Sequence, residues 1–353
     1  MTKCSLPLPC ELPDAPAGSD VGFPRVADVV QAFPYLIGFP PADSLVCAFW
    51  SDEGHLVLTA RSDWSDVEAA AAEVGKGLAE RAALVGAVGG LCAAVSVQST
   101  LSRQFTRLRA VRASLSRFGI ASSPGIVVGG GRWRSRTCGS QCPELGHDLE
   151  GEGVSALVAG LVASGRVPVA SREAVAQEVR LADDVTAGAL ALAAADLREG
   201  ITDLEEWRDR VIMEALDAML DGGYLSLRSS AAVAAACEDV RARDTVLWCL
   251  EREPAVSWDG VWASASHVLR MCRGDRAAAV GAVAAIAAWQ AGDGLRAGFA
   301  LERAYEANPD HSLADLIREA MGRGLPPEVW SRLMRDLTHE ECRRDPRVVR
   351  GLP

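Results

Sequence analysis

Histidine is scarce in this sequence, with five in 353 residues, and none stands beside an obvious nucleophile. Acid–base chemistry at neutral pH therefore finds few candidates. The familiar catalytic signatures are also missing. No Gly-x-Ser-x-Gly elbow, His-Glu-x-x-His helix, Walker A loop or Gly-x-Gly-x-x-Gly turn occurs, which removes the motif-based readings as hydrolase, zinc protease, nucleotide hydrolase or dinucleotide enzyme. Positive charge is in deficit, with a formal net charge of −11. A chain of that sign is repelled by phosphate backbones, which disfavours a broad nucleic-acid role. The first twenty residues hold prolines and no continuous apolar segment, so no secretory signal is expected. The alanine-rich stretch Ala277 to Gly292 is uncharged for only 16 residues and contains Gln290. A membrane span needs about 20 strongly apolar residues, so this stretch is read as a packed core helix. The ten cysteines are scattered, some within apolar runs, as free buried thiols of a cytoplasmic protein would be.

What is present is ordinary globular material, 49% hydrophobic and 24% charged. The length favours two domains. Residues 1–22 read as a disordered arm. Ala27 to Tyr35 reads as a short helix stopped at Pro34. Leu45 to Trp50, apolar on both alternating faces, reads as a central strand, and His55 to Arg61 as its hairpin partner. Ser65-Asp66-Val67-Glu68 has the form of a capping box opening a helix to about Leu84. A strand over Leu91 to Val97 precedes the most periodic segment, with Leu101, Phe105, Leu108, Val111, Leu115 and Phe118 on one helical face ending at Gly119. Ile126 to Val128, three glycines and Trp133 to Thr137 form a closing hairpin. The order α-β-β-α-β-α-β-β predicts a mixed sheet with helices packed on it over 23–137.

Residues 138–152 read as a polar linker loop, and nearly everything over 153–345 as helix, with a tail at 346–353. Ser171 and Thr202-Asp203-Leu204-Glu205 provide helix starts. The predicted class is α+β, an α/β sandwich followed by an all-helical domain. Ala284, Ala285, Ala288, Ala297, Leu301, Ala304 and Pro309 fall at the spacing of one tetratricopeptide-like hairpin, but one repeat earlier Asp275, Arg270 and His267 do not match. A helical hairpin is expected, not an array.

Several stretches carry a resemblance. FPYLIGFPPADSLV (33–46), GGRWRSRTCGSQC (130–142), SALVAGLVASGRVPVASREAV (155–175) and AAWQAGDGLRAGFALERAYEANPDHSLADLI (287–317) resemble the actinobacterial family catalogued as domain of unknown function 4192. The resemblance covers roughly 25–327. It implies no assigned activity. Many members carry adjacent cysteines and a Pro-Pro-Glu-Gly stretch where this chain has Cys138-Gly-Ser-Gln-Cys142-Pro-Glu-Leu-Gly.

Candidate sites follow from residue chemistry. Cys138, Cys142, His147 and Glu152 offer two thiolates, an imidazole and a carboxylate that would suit tetrahedral zinc; the competing reading is a connecting loop with free thiols. Asp43 and Ser44, in a loop stiffened by Pro40 and Pro41, are candidate oxygen ligands for a small molecule, although turn chemistry alone accounts for both. Gly129-Gly130-Gly131 is a hairpin turn rather than a phosphate loop, because no Lys-Ser/Thr follows and no helix opens there. Arg103 and Arg107, on the polar side of the 101–118 helix, could meet an acidic partner or phosphates, or simply form a solvated face, while Arg112 falls close to the apolar stripe. Trp133 is an anchor for a partner if exposed, and core if turned inward. Trp258 and Trp262 are expected to be core. The functional expectation is a non-catalytic cytoplasmic binding or regulatory protein for a protein partner or small ligand. The alternative is an enzyme on a small or nucleotide-like substrate at the 38–44 loop or the domain interface.

Overall fold

The computed structural model describes residues 26–136, 143, 145–149, 155–163, 165–221 and 225–343. It divides into two compact units, 1–171 and 172–353.

The first unit contains α1 (Val26–Ile37), β1 (Ser44–Trp50), β2 (Leu56–Asp63), α2 (Trp64–Leu84), β3 (Gly89–Val95) and α3 (Leu101–Arg117). It continues through β4 (Ala121–Ser122), β5 (Ile126–Gly129), β6 (Arg132–Ser135), β7 (His147–Asp148) and α4 (Ala156–Ala163), which packs on α1. The sheet runs β2-β1-β3-β5-β6-β7, with two-residue β4 also beside β3. β1 is antiparallel to both β2 and β3, so β2 and β3 point the same way, and β5 is parallel to β3. β1 and β3 are buried along their whole length, as expected of central strands covered on both faces. Alternation sends Leu45, Cys47 and Phe49 into a core with α2 and α3, and Val46, Ala48 and Trp50 into a second core with α1.

Three local expectations are corrected. α1 runs past Pro34 to Ile37, because proline removes only one helical bond in a last turn that Gly38, at φ 92°, then closes by donating to Pro34 O at 2.9 Å. The capping box at Ser65 is not formed: β2 passes directly into α2, Asp63 is the N-cap, and its side chain makes no capping bond. β4 and β7 were beyond reach of pattern reading, since two residues carry no period. The 126–135 hairpin is present, with Gly130 and Gly131 at φ 59° and 70°, the left-handed pair its tight turn requires.

In the second unit all regular structure among the described residues is helical: α5 (Arg172–Gln177), α6 (Asp184–Asp196), α7 (Leu204–Asp221), α8 (Leu227–Glu238), α9 (Val240–Arg252) and α10 (Trp258–Leu269). After them come α11 (Gly274–Gln290), α12 (Gly294–Ala307), α13 (Ser312–Gly322), α14 (Glu328–Asp336) and α15 (His339–Arg343). α7 starts one residue later than its capping box predicts: Asp203, not Thr202, is the cap, its Oδ1 accepting the Glu205 N–H at 2.9 Å. Trp262 is buried and Trp258 half-buried. α11 and α12 form a close hairpin in which a Cβ on Gly281 would stand 3.0 Å from both Ala300 O and Ala304 Cβ. No helix among the described residues is long and apolar enough to cross a membrane.

Candidate functional site

β2, β3 and β5 all end on the same edge of the sheet, the edge where antiparallel β1 begins. In α/β sheets the crevice outside the carboxyl ends of the strands is the usual place for a ligand, because helices start there and their amides are free. Here that edge holds two adjoining open hollows of about 470 and 370 Å³, separated by the Val97-Gln98-Ser99 segment that lines both.

The Asp43 loop is the rim of the smaller hollow, and it is held from three directions. Asp43 O accepts the Trp64 N–H at 2.8 Å, and Asp43 Oδ1 accepts the Gln98 N–H at 3.3 Å. Arg61 reaches back over the Phe39 ring at 5.6 Å and donates to Ser44 Oγ at 2.8 Å and Asp63 Oδ1 at 2.7 Å. Ser44 is fully buried, and its hydroxyl also donates to Ala42 O at 2.5 Å. The sequence-predicted pair thus separates. Asp43 lines the hollow, whereas Ser44 spends its hydroxyl on the turn.

Two features of this edge escape sequence reading. Asp43 and Ser96 are the two non-glycine residues at positive φ among the described residues, at 41° and 51°. They sit one step beyond the Ser44–Val95 pair, facing each other across the mouth. Second, Trp64 is 4% exposed and Gln104 3% exposed, and each leaves one buried polar atom, Nε1 and Oε1 respectively, without a hydrogen-bond partner among the described residues. Ser99 Oγ, on the segment that lines both hollows, is a third such atom, and buried polar atoms are satisfied in the large majority of cases.

Charge divides the two hollows. The smaller is lined by Asp43, Asp63 and Glu68, the last in contact with Arg103 Nε at 3.1 Å. The larger is lined by Arg132 and Arg134 of β6 and by the Ser96–Ser99 segment entering α3. Thr100, the N-cap of α3, makes no side-chain capping bond.

The remaining candidates lie elsewhere. Arg103 is engaged with Glu68, Arg107 is half-buried, and Arg112 is tied to Ser122 through Nε–H to Oγ at 3.1 Å. Trp133 is 3% exposed and packs with Val128 in the α1-side core, so of its two expected roles it takes the inward one, on a strand whose outer side pairs with β7. Cys138, Cys142 and Glu152 lie outside the described residues. His147 stacks on Trp133 with ring centroids 4.2 Å apart. Among the described residues no three metal-ligating side chains converge.

No curated protein and no solved structure matches this chain. The model of the family described as Domain of unknown function (DUF4192) matches residues 27–328. That span takes in the sheet, the crevice and most of the helical unit, so the chain belongs to the DUF4192 family.

Proposed function

We propose that this protein is a cytoplasmic binding protein that takes a small polar ligand in the crevice at the carboxyl ends of β2, β3 and β5. The observation that carries the reading is the strained pair at its mouth. A left-handed non-glycine residue costs about 1 kcal/mol or more, and such residues persist where the surroundings over-determine them, often at ligand sites. Asp43 and Ser96 are the described examples and both are here, each pinned by hydrogen bonds: Ser96 N–H donates to Val128 O at 2.8 Å. Buried free thiols such as Cys47, Cys92 and Cys237 suit a reducing compartment. The helical unit, with its alanine-rich hairpin, would offer a second surface for a protein partner.

The test is ligand-observed NMR of the full chain against a set of metabolite-sized polar compounds. Gln98 is exposed and lies between the hollows, so Gln98→Trp should fill the crevice without disturbing the core. Binders that vanish in Gln98→Trp are expected. Binders indifferent to that substitution would place the site elsewhere and end this reading.

A further inference from the structure

The larger hollow is a cationic cup in a protein of net charge −11. Its chemistry can be read from three walls. On β6, Trp133 points into the α1-side core, so its neighbours Arg132 and Arg134 project from the opposite face, the one α3 covers. Arg136, two residues on, confirms the side by lying over the Phe105 ring of α3 at 5.9 Å. Both arginines are tethered by backbone carbonyls. Arg132 donates through Nη1 to Gly146 O at 3.2 Å, and Arg134 through Nε and Nη2 to Leu145 O at 3.3 and 3.2 Å. A guanidinium has five N–H donors, so among the described residues each keeps several without a partner while its side chain is already ordered. Arg132 also approaches Asp148 at 3.5 Å, whereas Arg134 has no carboxylate partner among the described residues.

The second wall is the start of α3, a 17-residue helix whose first-turn amides are uncapped by Thr100. The third is Gln104. Its Nε2 donates to Val97 O at 3.2 Å and to Ser99 O at 2.6 Å, which uses both hydrogens and fixes the orientation of the amide. Among the described residues Oε1 then has no donor, and the buried Ser99 Oγ has no partner either.

We propose that this hollow holds the phosphate group of a small phosphorylated ligand, with a hydroxyl, on phosphorus or on the carbon skeleton, donated to Gln104 Oε1. Two guanidiniums and a row of amides outnumber the two oxygens of a carboxylate and suit the three terminal oxygens of a phosphate dianion. The unpaired Gln104 oxygen supplies the acceptor that a purely cationic site lacks. This inference rests on the crevice being the binding site and names the ligand's chemistry.

Inorganic phosphate and sulfate are the probes, because they match in shape and charge but only phosphate carries a proton to donate at neutral pH. Calorimetric titration of the full chain should give saturable phosphate binding about fivefold or more tighter than sulfate, the worth of one unmade hydrogen bond. Arg134→Gln should weaken phosphate binding about tenfold, with circular dichroism confirming an unchanged fold. Backbone amide shifts at Leu101 to Arg103 should move with phosphate in the unmutated chain, a readout that does not depend on any variant folding. Equal affinity for sulfate, or indifference to Arg134→Gln, overturns the assignment. If compounds sensitive to Gln98→Trp are found but all are uncharged or cationic and insensitive to Arg134→Gln, the phosphate inference fails while the crevice reading stands. If no compound is sensitive to Gln98→Trp, both fail.

Discussion

The Sγ of Cys47 lies 3.4 Å from the Sγ of Cys92, directly across the β1–β3 ladder at the centre of the sheet. Both residues are fully buried, and the Cys92 thiol, burial and the neighbouring sulfur's charge together push the Cys47 thiol well above its ordinary range. The thiolate is the reactive species, so Cys47 should be inert in the native fold, and complete burial keeps reagents from Cys92 as well. An aromatic disulfide reagent at pH 8, followed by peptide mass spectrometry, should leave Cys47 and Cys92 unlabelled until urea unfolds the chain. Rapid native labelling of either would mean that the sheet opens far more readily than its packing implies.

Alkaline pH should destabilise the helical unit. Burial is the main reason that the Cys237 thiol is pushed up to about 12, and burial also raises Cys272. In the unfolded chain a thiol titrates near about 8.5. The folded state keeps its proton while the unfolded state loses it, so the thiol's contribution is intact below about pH 8.5 and is lost as pH climbs toward 12. Each such thiol should steepen the fall by at most about 1.4 kcal/mol per pH unit. Urea unfolding at pH 7.5, 9 and 10 should show the fall, and Cys237→Ala should make it shallower. A slope identical in the variant would remove Cys237 from the account.

At the crevice, Asp43 has two jobs that substitutions can separate. Asn tolerates left-handed φ and keeps a side-chain oxygen for the Gln98 N–H. Asp43→Asn should therefore stay within about 0.5 kcal/mol of the parent, and Asp43→Ala should lose about 1–2 kcal/mol from strain and the missing bond. Denaturant midpoints decide it. Equal stability of the two variants would show that neither the φ nor the bond matters.

Two glycines should respond to alanine with opposite signs. On Gly75 of α2 a Cβ would meet Val111 Cα at 2.8 Å and Val111 O at 2.9 Å, so the backbones of α2 and α3 must separate. Gly75→Ala should cost about 1–3 kcal/mol despite its better helix propensity. Gly188 of α6 has nothing within 4 Å of such a Cβ, and Gly188→Ala should gain about 0.5–1 kcal/mol. Stability curves that rank the two the other way would contradict the close α2–α3 approach.

What the sequence conveyed, and what it withheld, follows from the range of the forces involved. The apolar run Leu45 to Trp50 announced a central strand because covering both faces removes polar residues from both alternations, and β1 is such a strand. The stripe from Leu101 to Leu115 announced α3 by its period. Asp43 was legible as a candidate because its loop lies between recognisable elements. Trp64, Gln104, Arg132 and Arg134 were not, since their shared crevice arises from a crossover that pairs residues of β3 and β5 33 positions apart, as in Ala93 with Ile126. Trp133 carried both possible roles until the pairing of β6 with β7 decided its direction. The only local clue to the crevice would have been a non-glycine residue forced to positive φ, and side-chain identity at Ser96 does not advertise that.

α11 is enclosed on every side. Thirteen consecutive residues, Ala277 to Trp289, are buried, and most are alanine or valine. Alanine surrenders no rotamer entropy when buried, so the helix is fixed in place at little conformational cost, but most of its contacts are made by backbone and methyl groups. Such an interior has almost no compliance. A long side chain can reorient to admit a neighbour's extra carbon, whereas a methyl cannot. In evolutionary terms the helix is hemmed in chiefly by size: Ala-to-Gly drift is sterically open at these buried positions, whereas growth of any one of them, even by the hydroxyl of serine, obliges a partner helix to give way at the same time.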